Sequence, residues 1–531
     1  MPSEETARVV AALADRGYNA DREAVTLLAR APDRKRAIDR AVELAPDDAL
    51  VLSAEHASRA LEPTTQSGGR THTTPDVSDD TAAGSHPSVS GGDRQPKQQE
   101  GEEILQSKQG GRPRRQSPPS RLKNEGNGRD SPAAAVSGDI QSTGTGEYGD
   151  FVSVFRDRYE RLSEMLRGRV THRPAAAVAD LSDNSEAAMI GMVADAYTTS
   201  GGHWRFELED TSGTYPCMVL ADSKPAAKAP RVLCDEVIAV EGEISKRRGD
   251  DEGVMFVDSL QFPNVPRTHS PSTADRQVRA ALVSDVHVGS QEFLADAWGR
   301  FTDWLHSDAA ADVEYLLLAG DMVEGVGVYP GQDEELDIVD IYDQYEQFSE
   351  HLKEVPGDME LVMIPGNHDS VRLAEPQPAF DDELRSIMSA HDATISANPS
   401  TVTVEGVSVL MYHGVSLDEL IAELPGAAYE DPAKTMRYLL EKRHLAPQYG
   451  GQVRIAPEER DHLVIEEVPD IFHAGHVHKF GYTRHNGVLT VNSSCWQSQT
   501  DFQASVNLDP DVAYAPIVDL QTLEMGYAQF A

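Results

Sequence analysis

Aspartates, histidines and one asparagine recur in this chain at five places, each directly after a short apolar run. LVSDVHVGS holds Asp285 and His287, LLLAGDMVEG holds Asp321, and MIPGNHDS holds Asn367, His368 and Asp369. VLMYHG adds His413, and FHAGHVHKFG adds His476 and His478. Carboxylate, amide and imidazole without sulfur suit two closely spaced divalent cations: Mn2+ first, with Fe, Zn or Mg2+ as alternatives. Such a pair clamps a phosphate and lowers the pKa of a water, so the chemistry indicated is hydrolysis of a phosphoester. Any one motif is weak, because a lone DxH or HxH is more often a surface loop or a packed histidine. All five in order at strand ends make a strong signal. Gly320, Gly366 and Gly475 fall where each strand must turn sharply.

Side chains so far apart in sequence share a centre only if strands deliver them to one edge. From about Gln277 onward, strand-length apolar runs alternate with helical patterns: ALVSDVH, FLADAWGRFTDWLHS, VEYLLLAGD, a helix around IYDQYEQFSEHLKEV, then MELVMIPGNHD. That order predicts an α/β fold over residues 277–531, with strands buried on both faces and reactive side chains just past their carboxyl ends. Upstream, residues 183–266 alternate apolar and polar through AMIGMVADAY, HWRFELED, YPCMVLA, DEVIAVEGEIS and VMFVDSLQF. Five short strands with turns between them fit an OB-type β-barrel. Trp204 and Phe206 could stack bases, but they share a face with Leu208 and read first as barrel core.

Residues 148–182 form a helical lead-in to the barrel. Residues 62–147 are rich in Ser, Gly, Pro, Thr, Gln and Asp, with too few apolar clusters to offset the entropy of ordering, so a disordered linker is expected. Residues 1–61 return Ala, Leu and Val at three- and four-residue spacing, the pattern of a small helical module.

The formal net charge of -41, with 88 Asp and Glu, would ordinarily argue against a nucleic-acid partner. Affinity for the phosphate backbone comes mainly from Lys and Arg replacing counterions. Here, however, the acidic residues run through every folded segment and Lys is scarce beside Arg, the balance of a proteome adapted to high salt, where self-repulsion is screened. Charge then says little about substrate. Basic stretches at residues 111–123, 245–250 and 434–444 read as a solvated spacer, hairpin and helix face before they read as DNA contacts. Three separated cysteines, Cys217, Cys234 and Cys495, suggest neither a disulfide framework nor a thiolate zinc site. The acidic MPSEETARVV start, and no apolar run near the roughly 18 residues of a membrane span, set the expectation of a cytoplasmic protein with no membrane partner.

The ordered pattern D-x-H, G-D, G-N-H-D, H, G-H-x-H resembles that of the calcineurin-like metallophosphoesterases, over about the last 250 residues. The resemblance implies that Asp285, His287 and His478 bind one metal, that Asn367, His413 and His476 bind the other, and that Asp321 bridges them. It leaves His368 near the leaving-group oxygen as acid or phosphate stabiliser, oriented by Asp369, with support of the metal ligands as the rival role. Where many such proteins carry G-D-x-x-D, this chain has Glu324. The order of parts, with FELEDTSGTYPCMVL, GHVHKFGY and NSSCWQSQTDFQ, is similar to the small subunits of archaeal family D DNA polymerases. That resemblance implies a proofreading 3′ to 5′ exonuclease on single-stranded or mispaired DNA, a separate large catalytic subunit as partner, and a sliding clamp as a further candidate. A catalytically silent scaffold subunit, a stand-alone repair nuclease and a phosphoprotein phosphatase stand open beside it.

Overall fold

Apolar runs such as RAALV, VEYLLLA and ELVMI cannot leave either face in water, so each strand must lie between two layers. The computed structural model describes residues 148–531 apart from 247–252, 330 and 452, together with 134–137, 140 and parts of 9–61. The chain divides into two units, Met1–Ser120 and Arg121–Ala531. In the first, helices Arg34–Leu44 and Ala54–Leu61 bury Ala37, Ile38 and Ala57 with Leu28. A parallel pairing of Asn19–Ala20 with Val51–Leu52 accompanies them, which helical periodicity does not announce.

The second unit begins, among its described residues, with β1 (Ala134–Ser137) and helix α1 (Tyr148–Arg167). A barrel follows, made of β2 (Glu186–Thr198), β3 (Trp204–Asp210), β4 (Gly213–Val219), β5 (Val237–Ser245) and β6 (Val254–Gln261). It closes in the order β2-β3-β4-β6-β5, with β4 and β6 parallel and the other neighbours antiparallel. Phe206 is fully buried inside it, and Trp204 packs partly buried beside it with ring centroids 6.2 Å apart, so both rings belong to the barrel's packing.

Two six-stranded sheets make up the rest. In chain order their elements are β7 (Arg279–Val283), α2 (Ala295–Leu305), β8 (Val313–Ala319), α3 (Ile341–Leu352), β9 (Glu360–Ile364), β10 (Thr394–Ile395), β11 (Ser400–Val404) and β12 (Val407–Met411). Then come α4 (Ser416–Glu423), α5 (Pro432–Lys442), β13 (Ile471–Ala474), β14 (Phe480–His485), β15 (Val488–Ser493), α6 (Asp501–Ser505), β16 (Tyr514–Asp519) and β17 (Met525–Gln529). One sheet runs β10-β9-β8-β7-β16-β17 and the other β14-β15-β13-β12-β11-β1. Leu282, Leu317 and Val362 of the first meet Val409, Ile471 and Val491 of the second in one core. Trp298 and Phe348 of α2 and α3 cover one outer face, and Leu420 and Met436 of α4 and α5 the other. Register then aligns the site: Leu317 on β8 pairs with Leu282 on β7 and Val362 on β9, so the loops carrying Asp285, Asp321 and Asn367 leave the sheet side by side.

Two expectations need correcting. Residues 134–137 lie in the stretch 62–147 expected to be a disordered linker, yet they pair antiparallel with β11. A sheet edge offers unpaired N–H and C=O groups to any extended segment whatever its side chains, so composition alone misses such a strand. Residues 62–133, with the basic stretch 111–123, lie outside the described residues. Nor is 434–444 simply a solvated helix face. Lys442 is buried against Glu236 of the barrel at 2.6 Å, and Arg443 Nε donates to the Ile465 carbonyl at 2.7 Å. His444 Nε2 meets Asp461 Oδ2 at 2.9 Å.

That last carboxylate also receives Arg158 of α1. Arg158 is fully buried and donates through Nε to Asp461 at 2.7 Å and through Nη1 to the Pro447 carbonyl at 2.8 Å. Burial would raise the Asp461 carboxyl, but His444 and Arg158 outweigh it and hold it far below the usual range. Asp461→Ala should therefore lower unfolding stability by about 3–5 kcal/mol, because it strands a buried guanidinium. Denaturant unfolding checks this, and a loss below about 1 kcal/mol would show that the ion pair is dispensable.

Candidate metal centre

Every reactive motif begins where a strand ends: Asp285 and His287 after β7, Asp321 after β8, Asn367 and His368 after β9, His413 after β12, His476 and His478 after β13. Five of these residues have left-handed backbone, with φ 53° at Asp285, 56° at His287, 53° at Asp321, 72° at His476 and 52° at His478. Such a conformation costs an L residue roughly 1–2 kcal/mol, and it clusters where surrounding structure imposes it for function. Gly320, at φ 90°, serves a turn as expected. Gly366 and Gly475 serve close approach instead: an added Cβ would lie 2.2 Å from Asp321 Oδ1 at one and 2.2 Å from Asp285 Oδ2 at the other.

The side chains converge. Asp285, His287 and His478 offer ligand atoms within 4.8 Å of one another, as do Asp321, His413 and His476. Asn367 Oδ1 lies 3.0 Å from His413 Nε2. His287, Asp321 and His368 form a third such group, so His368 stands closer to the cluster than the resemblance implied. His287 Nδ1 faces Glu324 Oε2 at 2.8 Å and His413 Nδ1 faces the Ala319 carbonyl at 2.9 Å. With those acceptors each Nδ1 carries a proton, and each Nε2 points inward, where the neutral ring has its lone pair. His287 Nε2 and His478 Nε2 are only 3.1 Å apart, beside the buried Asp285. Two imidazole nitrogens and a carboxylate brought this close are donors of the kind a divalent cation takes, so the donor set fits such a metal.

The electrostatics of the cluster follow from its burial. Burial would raise Asp285 and Asp321, but the imidazoles around them outweigh it and hold both below the ordinary carboxylate range. Burial would lower His413, but Asp321 outweighs it and lifts the ring to about 10. His478 is likewise raised, by Cys495 and Asp285 against burial, whereas burial keeps His287 low.

Glu324 stands where the resemblance expects an aspartate. Besides His287 it accepts Gln497 Nε2 at 2.7 Å and Gln332 Nε2 at 3.1 Å; burial would raise its carboxyl, but His287, His368 and the Gln332 hydrogen bond draw it down to about 2. Asp369 does not orient His368 as expected. His368 Nδ1 donates instead to the Glu324 carbonyl at 2.7 Å. Asp369 accepts Gly366 N at 2.8 Å, Met322 N at 3.2 Å and Tyr345 O–H at 3.0 Å, and burial together with Asp321 pushes it up to about 7. His473 is buried on Ser493 Oγ at 2.9 Å, away from the ligand groups. Sequence reasoning missed Asp418, which holds His476 Nε2 at 3.1 Å, and Gln503, which meets His478 Nδ1 at 2.9 Å. Their one local signal is the helix starts that they lie near: Thr500 and Gln503 form the capping box of α6.

The family model for the B subunits of DNA polymerases alpha and epsilon matches residues 280–482, the stretch that carries every strand end named above. The chain is 57% identical over 535 residues to the DNA polymerase II small subunit of Halobacterium salinarum, covering 100% of both. This chain belongs to the DNA polymerase II small-subunit family. It is also 42% identical over 378 residues to the small subunit of Archaeoglobus fulgidus, covering 70% of this chain and 75% of that one. To that of Pyrococcus furiosus it is 37% identical over 401 residues, covering 72% and 64%. Among the described residues of this small subunit no helix is long and apolar enough to cross a membrane.

A metal ion must displace the proton that His413 retains up to about pH 10, so Mn2+ affinity should rise with pH below that value. The slope is at most about tenfold per pH unit for each proton released. Calorimetric titration at pH 7.5 in buffers of different ionisation heat should show net proton release. Uptake without release would mean that the ions bind elsewhere.

Proposed function

We propose that this chain is the nuclease of an archaeal family D DNA polymerase, a metal-dependent 3′ to 5′ exonuclease acting on single-stranded or mispaired ends. A separate large subunit would carry out synthesis, as the name of the family suggests. The observation that carries this reading is the 3.1 Å approach of two imidazole nitrogens beside a buried carboxylate, with a second such cluster around Asp321. Scaffolding alone gives no reason to bury these charges, which cost several kcal/mol each when unpaired. On this reading the barrel is of the OB type and the paired sheets are a metallophosphoesterase sandwich.

Asp285, His287 and His478 would hold one divalent ion, Asn367, His413 and His476 a second, and Asp321 both. When bound, such ions would supply the positive charge that holds a scissile phosphate and lowers the pKa of a water. The chain's own groups supply the rest. Glu324 and the Ala319 carbonyl keep His287 and His413 in the tautomer that ligation needs. His368, with Nδ1 tied to the Glu324 carbonyl, presents Nε2 to the cleft. Asp321 and Glu324 raise it above its ordinary value against burial, which suits it to donate a proton to the departing sugar oxygen. Asp369 acts at one remove, bracing the turns after β8 and β9 through Met322 and Gly366.

Purified with its large subunit and Mn2+, the chain should shorten single strands from the 3′ end, and EDTA should stop it. Asp321→Asn should cut that rate by at least about a hundredfold while synthesis continues. Proofreading unchanged in Asp321→Asn would favour the silent scaffold. Preference for phosphopeptides over 3′-mismatched DNA would favour a phosphatase.

A further inference from the structure

The cleft above the centre has a volume of about 690 Å³. Among the described residues that line it, Lys479 is the one Lys or Arg, and its ammonium is 3.6 Å from Asp511. Lys and Arg side chains therefore offer little hold there on the strand that flanks the scissile phosphate. The mouth offers aromatic surface instead. Tyr329 and Phe502 lie with ring centroids 5.6 Å apart and planes 25° from parallel, and Phe502 is 54% exposed.

Both rings sit on anchored segments. The Tyr329 O–H is directed at Glu335 at 3.2 Å and Glu324 at 3.4 Å, and its ring meets that of His368 edge-on at 6.5 Å between centroids. Phe502 lies in α6, between the capping residue Thr500 and Gln503, which touches His478. The pair is thus anchored on one side to His368 and on the other to a candidate ligand.

We infer that Tyr329 and Phe502 form a stacking subsite for a nucleobase flanking the scissile phosphate. This rests on the nuclease reading above and adds what holds the substrate. Fixed rings lose little freedom when a base stacks on them, and every base has a π face, so the subsite grips a strand without reading its sequence. Stacking is also little affected by ions that screen charge, an advantage for a chain with a net charge of -41. The occupant must reach into a cleft lined by His368, His476 and His478, which a base attached to the bound phosphate does by connection.

The test uses the holoenzyme with Mn2+ and single strands in which the nucleotide on each side of the cleaved bond is replaced in turn by an abasic residue. In the natural protein, losing the base at one of these positions should slow cleavage about tenfold, mainly through KM. The contrast should shrink to about twofold or less in Phe502→Ala, persist in Phe502→Trp, and change little between low and high salt. Should Phe502→Ala lose metal, Phe502→Leu carries the same comparison, since it keeps apolar bulk without a π face. Equal rates on base-bearing and abasic strands, or a contrast that survives both Phe502→Ala and Phe502→Leu, would overturn the subsite and leave the nuclease reading standing. Failure of the metal-loaded holoenzyme to cleave any strand would overturn both.

Discussion

Asp285 and Asp321 are buried to 0% and 1% exposure, and a carboxylate removed from water must find compensating charge and hydrogen bonds or lose its ionisation. Much of the architecture meets that demand. Backbone N–H groups of His476 and His368 point at the two carboxylates, at 3.0 Å and 2.9 Å, and imidazoles close the remaining directions. For those groups to meet, the carboxyl ends of β7, β8, β9, β12 and β13 must come to one edge of a double sheet, and their loops must turn within one or two residues. Left-handed backbone at the ligands and bare Cα atoms at Gly366 and Gly475 are the local cost of that convergence.

Around this cluster the protein is built outward in polar contacts. Glu324, Asp418 and Gln503 each take the outer nitrogen of one histidine, so ring orientation is set before any cation arrives. Further out, Arg158, Asp461 and His444 tie the lead-in helix to the sandwich, and Lys442 with Glu236 ties the barrel to it. Cations in this acidic chain are thus used in part as buried fasteners, where salt screens them least. Among the described residues that line the cleft, one lysine stands with aromatic rings beside the histidines and carboxylates.

The convergence of these side chains could be read from sequence because each candidate ligand follows a buried strand, and a strand ending in Gly-Asp or Gly-Asn-His-Asp is locally distinctive. The barrel was legible for a similar reason, since alternation in HWRFELED and VMFVDSLQF records which side faces the core. Contacts without a local trace were not. Arg158 and Asp461 are 303 residues apart, and nothing near either marks the other. Asp418 reads as an ordinary acidic residue in the first turn of a helix, where it favours the dipole anyway. Asp369 shows the converse error: adjacency to His368 suggested a contact, but backbone direction turns its carboxylate to Gly366 and Met322. Residues 134–137 form a strand because β11 has an edge to fill, a fact about the sheet that their own composition does not contain.

Whether two cations share one buried cluster is tested most directly by anomalous diffraction from crystals soaked in Mn2+. Two peaks are predicted, one among Asp285, His287 and His478 and the other among Asp321, Asn367, His413 and His476, close enough for Asp321 to touch both. Peaks only at surface carboxylates, with the cluster still closed by its own protons, would contradict that sharing.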